Sequence, residues 1–158
     1  MGRRTLVIGA SGILAPLAAA LAAAGDEVTG VARTRSAPPG VATVLVDAGS
    51  PDALRSALGG GDWERAVVYA PAVSADSLAA VAALVSGRTV VVRTSASADP
   101  ARGPLRIPDD TLQLGWTSAP DGGTRWHSPE EVSAAALLVL ADGDGRVLGR
   151  VRPWDERP

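Results

Sequence analysis

The residues best suited to chemistry open the chain: in Thr5-Leu6-Val7-Ile8-Gly9-Ala10-Ser11-Gly12-Ile13-Leu14-Ala15 an apolar run ends in a glycine turn and passes straight into an Ala/Leu-rich stretch. A dinucleotide pyrophosphate site begins in this way. Gly9 permits the sharp turn, Gly12 lets backbone N–H groups approach a phosphate, and the amides from Ser11 to Ile13 sit at a helix N-terminus, whose positive end attracts an anion. Arg33 and Arg35 follow the second apolar run. There an NAD site carries an acidic residue for the ribose 2′-OH, whereas an arginine accommodates a 2′-phosphate. Asp26 and Glu27 precede that run and stand at its wrong end. NADP(H) is therefore the expected cofactor, against the plainer reading of two solvated arginines. Asp47 closes the third run, either as acceptor for the adenine amino group or as a cap before Ser50-Pro51.

Candidates for the reaction itself are fewer. His127 could give a proton to a carbonyl or imine, or it is a polar loop residue ahead of a helix. Tyr69 could donate a hydrogen bond from a strand end, or simply suits a strand. Without a base beside them, Ser95 and Ser97 would orient substrate or cofactor and attack nothing. Trp116, Arg125 and Trp126 flank a Pro120-Asp121-Gly122-Gly123 turn that would bring the tryptophans together. They suit a planar or anionic ligand under a lid; alternatively the tryptophans complete a core and Arg125 pairs with Glu130 or Glu131.

Composition excludes much else. There is no cysteine, so disulfides and thiolate chemistry are absent, and one histidine cannot build a zinc site. All 15 basic residues are arginine, which removes lysine as base, Schiff-base former or phosphate clamp. A net charge of −2 gives no footprint for nucleic acid. The start, Met1-Gly2-Arg3-Arg4 and an apolar stretch to Gly25, has the outline of a secretory leader. Gly9, Ser11 and Gly12 interrupt it where a phosphate loop needs them, so a cytoplasmic protein with no membrane partner is expected.

These residues need a scaffold that gathers strand ends. Strands are predicted at about 4–8, 27–32, 42–47, 65–70, 88–95, 111–116 and 146–151, and helices at about 12–24, 50–58, 74–86 and 128–141. Such alternation predicts an α/β, three-layer, doubly wound Rossmann fold, with a mostly parallel sheet of about seven strands and residues 1–158 as one domain. Ser128-Pro129-Glu130-Glu131 is a full helix start with a capping box. The proline-bearing stretches 33–40 and 96–110 are predicted as surface loops. Ligands of such a sheet bind beyond the carboxyl ends of the strands.

With these residues in view, the chain resembles the short-chain dehydrogenase/reductase superfamily. Gly9-x-x-Gly12-x-x-Ala15 is similar to its glycine motif, and Val67-Val68-Tyr69-Ala70-Pro71-Ala72 stands where its Asn-Asn-Ala-Gly strand end falls. Val90 to Ser97 resembles the strand that delivers its catalytic serine, and the stretch from Ser128 to Val151 its last helix and strand. The resemblance implies cofactor contacts from Ala70 and Pro71, a catalytic place for Ser95, and assembly as a homodimer or homotetramer. A narrower likeness, on Leu114-Gly115-Trp116, Arg125-Trp126 and Pro153-Trp154, is to a group of small bacterial proteins without the superfamily's Tyr-x-x-x-Lys pair. That pair is missing here: there is no lysine, Tyr69 is the sole tyrosine and on another strand, and a Pro-rich segment replaces the helix.

The expectation is an NADP(H)-dependent reductase of a small-molecule carbonyl, imine or conjugated alkene. A non-catalytic nicotinamide-nucleotide sensor or partner subunit, and a non-redox cyclase or isomerase, stay open.

Overall fold

The computed structural model describes residues 2–158. In chain order the elements are β1 (Arg4–Ile8), α1 (Ala15–Ala23), β2 (Glu27–Ala32), β3 (Ala42–Leu45), α2 (Pro51–Leu58), β4 (Arg65–Tyr69), α3 (Ala75–Ala83) and β5 (Thr89–Arg93). Then come β6 (Thr111–Leu114), β7 (Trp116–Ser118), β8 (Thr124–Trp126), α4 (Pro129–Asp142) and β9 (Arg146–Leu148). Seven strands form one sheet in the order β3-β2-β1-β4-β5-β6-β9, every pair parallel. The order reverses between β1 and β4, the switch point where such sheets bind ligands.

Because successive side chains on a strand point to opposite faces, the apolar runs bury both ways. Val7, Val67, Val90, Val92, Leu112 and Leu114 pack under α1 and α4, with Leu17, Leu21, Val132 and Val139. Leu6, Ile8, Val31, Ala66 and Val68 pack on the other face with Leu54, Leu58 and Val81 of α2 and α3. Helix starts are capped locally: Ser50 accepts from Ala53 N, Ser74 from Ser77 N, and Ser128 forms the expected capping box with Glu131. No helix among the described residues is long and apolar enough to cross a membrane.

Several boundaries differ from expectation. The turn at 9–14 delays α1 to Ala15, and β3 stops at Leu45. β6 ends at Leu114 because the chain leaves the sheet at Gly115, after which Trp116 exchanges backbone hydrogen bonds with Arg150 at 2.9 Å each way. β9 ends where Gly149 takes φ +73°, a left-handed conformation suited to glycine. The segment 96–110 is more than a surface loop: 3₁₀ turns at Ser95–Ala98 and Pro100–Arg102 fold Ala98 beneath Trp116, Val151, Leu105 and Trp154. Its prolines forbid an α-helix, but Asp99 restarts a turn by accepting from Ala101 N.

Asp26 serves the opposite end of the sheet. Its Oδ2 accepts from Arg65 Nη2 at 2.7 Å and from Thr5 Oγ1 at 2.8 Å, tying the amino ends of β1, β2 and β4. Burial pushes the Asp26 carboxyl up, but the Arg65 and Thr5 hydrogen bonds outweigh it and hold the group below its ordinary value. A lowered folded-state pKa contributes stability above the unfolded value of about 3.9, lost as the pH falls through the folded value. Asp26→Ala, which leaves Arg65 buried without its partner, is expected to lose about 3 kcal/mol in urea unfolding at neutral pH. The difference from the parent should shrink below about pH 4.

Candidate functional site

A cleft of about 460 Å³ runs across the carboxyl ends of β1, β2, β3 and β4, lined by Gly9, Ser11, Gly12, Ile13, Arg33, Asp47, Tyr69 and Pro71 among others. Its floor is the glycine turn. Gly9 sits at φ +102°, and a Cβ there would come within 3.0 Å of Tyr69 Cβ, so both the backbone and the neighbour require glycine. Gly9 and Ala10 donate to Val31 O, while Gly12 N and Leu14 N return to Gly9 O. The amides of Ser11 and Ile13 find no acceptor among the described residues. They stand in the turn between β1 and α1, and α1 has no side-chain cap and no acidic residue in its first turn. Unpaired N–H groups in such a turn, beside a helix N-terminus free of acidic residues, fit a diphosphate. Ser133 Oγ donates to Ile13 O at 3.3 Å, securing the turn to α4.

Arg33 lies on the rim of this cleft, exposed and free of any acceptor among the described residues. Arg35 is exposed too but does not line it. Asp47 spends one oxygen on its own turn, Oδ1 accepting from Gly49 N at 2.9 Å, while Ser50 caps α2; its cap role is thus corrected to an Asx turn. Pro71 lines the cleft and Ala70 does not.

A second pocket of about 250 Å³ adjoins the first and shares Ile13 and Tyr69 with it; Thr94, Ser95, Leu114, Gly115, Trp126, His127 and Val132 complete its lining. Burial pushes the Tyr69 phenol above its ordinary value, so it stays protonated at neutral pH. Ser95 reaches this pocket; Ser97, one turn on, does not.

The stretch from Trp116 to Trp126 is an antiparallel hairpin of β7 and β8 in which the terminal tryptophans face each other, their rings 6.2 Å apart and edge-on. The turn brings them together as its residues suggested, yet their environments diverge. Trp116 is 0% exposed, packed on Ala98, Val151 and Trp154, and so is core and no substrate contact. Trp126 is 47% exposed and forms part of the pocket wall. Arg125 does not face a ligand: it grips Glu131 at 2.7 Å, fixing β8 to α4. Glu131 is the hub, held well below the carboxylate range by Arg125, by the Ser128 backbone N–H and by His127. His127 Nδ1 lies 3.3 Å from Glu131 Oε2, and its side chain is 5% exposed. Its Nε2 is buried against Gly149, where a Cβ would collide with it, and has no hydrogen-bond partner among the described residues. Neither ring nitrogen is open to the pocket as the chain stands. Sequence reasoning missed Gln113, and it read Glu131 as a cap and as a possible partner of Arg125 but not of His127. For Gln113 a signal existed, a lone amide inside the apolar run Leu112-Gln113-Leu114.

No protein-family model and no curated protein sequence matches the chain. Solved structures do match its fold. A carbonyl reductase from Pseudomonas aeruginosa PAO1 superposes with TM-score 0.56 at 19% identity, over 99% of this chain and 98% of that one. An oxidoreductase of the short-chain dehydrogenase/reductase family from Burkholderia thailandensis gives 0.59 at 19% identity, over 94% and 91%. The Bordetella bronchiseptica enzyme WbmH, in complex with NAD+, gives 0.62 at 11% identity, over 94% and 75%. The chain thus shares the Rossmann fold of these structures.

The divergent surroundings of the two tryptophans can be measured. Trp116→Ala is expected to cost about 3–5 kcal/mol in urea unfolding, and Trp126→Ala less than about 1 kcal/mol.

Proposed function

We propose that this chain binds NADP(H) and acts as a small reductase of a carbonyl, imine or conjugated alkene. One observation carries the reading: a cleft with unpaired amides and a small pocket lined mostly by uncharged groups meet at Ile13 and Tyr69. Their junction lies at the carboxyl ends of β1 and β4. The amides of Ser11 and Ile13 would hold the diphosphate, Arg33 the 2′-phosphate, and the free oxygen of Asp47 the adenine amino group. When bound, the nicotinamide nucleotide supplies a hydride. Tyr69, kept protonated by burial, gives the proton to the acceptor heteroatom, and Ser95 orients that group by a hydrogen bond. With Nδ1 on Glu131 and Nε2 buried, His127 holds the wall unless its ring turns.

A second reading, a nucleotide-binding sensor or partner subunit without turnover, is favoured by the same closed imidazole and by the missing lysine. Fluorescence titration separates the readings. NADPH is expected to bind more tightly than NADH, and Arg33→Ala with Arg35→Ala to weaken NADPH about tenfold or more while sparing NADH. Binding without consumption across a panel of aldehydes, ketones, imines and enones would select the sensor; no binding of either nucleotide would leave the non-redox enzyme.

The proton donor is tested by pH. A donor phenol with a raised pKa should keep turnover level through neutral pH and let it fall only above about pH 10. Tyr69→Phe should lower turnover by about 100-fold or more. Turnover kept by Tyr69→Phe and lost in His127→Ala would move the role to His127.

A further inference from the structure

We infer that Gln113 is a positioning residue that sets the wall of the smaller pocket by clamping the ends of β5 and β6; the inference rests on the NADP(H) reading. Gln113 is 0% exposed and lies on the sheet face opposite Leu112 and Leu114. Its Nε2 donates to Thr94 O at 2.8 Å and to Leu114 O at 3.0 Å. Both acceptors belong to residues that line the pocket, and Ser95 follows the first of them directly. One planar amide thereby joins two strands at the point where each leaves the sheet.

The surroundings explain why such a clamp is needed. The segment from Thr94 to Asp110 carries Pro100, Pro104 and Pro108 and has no α-helix, only two short 3₁₀ turns, the first closed by Ser97 N on Thr94 O at 3.1 Å. Side chains add to this backbone bonding. Arg93, the register partner of Gln113, donates to Arg106 O at 2.6 Å, and Arg152 donates to Ala98 O at 2.8 Å. Gln113 is the member of this set that acts at the pocket. Packing does not account for it: a buried amide is costly, and Gln113 Oε1 has no partner among the described residues. An apolar side chain of equal size would fill the same space without that cost. What it would lose is the double donation to Thr94 O and Leu114 O.

Gln113→Met keeps the volume and removes both donors. Affinity is to be measured for NADPH, which has a nicotinamide end, and for adenosine 2′,5′-bisphosphate, which fills only the larger cleft. The expected result is bisphosphate affinity within about twofold of the parent and NADPH weakened roughly three- to tenfold, as for the loss of a hydrogen bond or two. Equal loss for both ligands, or loss for neither, overturns the inference. Should Gln113→Met fail to fold, Gln113→Asn, one methylene short of both carbonyls, is expected to show the same split, and parental affinity for both ligands overturns it. If the parent binds the two ligands equally tightly, the pocket does not receive the nicotinamide end and the inference falls while the cofactor reading stands. If it binds neither, the cofactor reading itself fails and takes the inference with it.

Discussion

The turn that carries the chain from β1 into α1 can be made only if Gly9 holds a positive φ and presents no side chain to Tyr69. That constraint reaches both cavities. Gly9 shares the lining of the larger cleft with Ser11 and Ile13, whose amides are unpaired among the described residues, and it packs against Tyr69, which lines both cavities. Any side chain at Gly9 would strain the backbone and press on Tyr69 Cβ together. Phosphate binding and proton donation, if both occur here, depend on the same missing Cβ.

The rest of the sheet divides its labour by end. At the amino ends Asp26, Arg65 and Thr5 form a buried polar knot with no cavity function evident in its bonding, each partner satisfied by another. At the carboxyl ends polar groups are left unpaired: the Ser11 and Ile13 amides, one oxygen of Asp47, the Arg33 guanidinium. A parallel sheet buried on both faces offers no third place for polar groups. Paired and unpaired polar groups thereby fall at opposite ends of the sheet, and the helix caps at Ser50, Ser74 and Ser128 anchor the elements between them.

Local rules made the scaffold legible. The apolar runs at Leu6, Val67, Val90 and Leu112, the Ser-Pro-Glu-Glu start of α4 and the glycine turn each state their structure within a few residues. The expected hairpin apex at Pro120-Asp121-Gly122 was legible for the same reason, since Gly122 stands at positive φ and Asp121 accepts from Gly123 N. What could not be read depends on contacts distant in sequence. Trp116 and Trp126 share a residue type and a hairpin, but Ala98, Val151 and Trp154 decide which of them is core. The pairing of Arg125 with Glu131 was legible as one of two alternatives, but the contact of that same capping residue with His127 was not. The clamp by Gln113 was invisible because its acceptors are backbone carbonyls, which no sequence displays.

These side-chain commitments also say what the smaller pocket can recognise. Arginine is the only strong cation in the chain, and Arg125, which precedes the pocket-lining Trp126, is paired with Glu131. No carboxylate or arginine lines the pocket, whose walls are Ile13, Leu114, Val132 and Trp126 with the hydroxyls of Tyr69, Thr94 and Ser95. An anionic acceptor entering it would leave its hydration shell without gaining a charged partner, whereas an uncharged planar group would meet apolar walls and a few oriented donors. The hairpin is fastened on both strands, Trp116 buried in the core and Arg125 paired with Glu131 of α4.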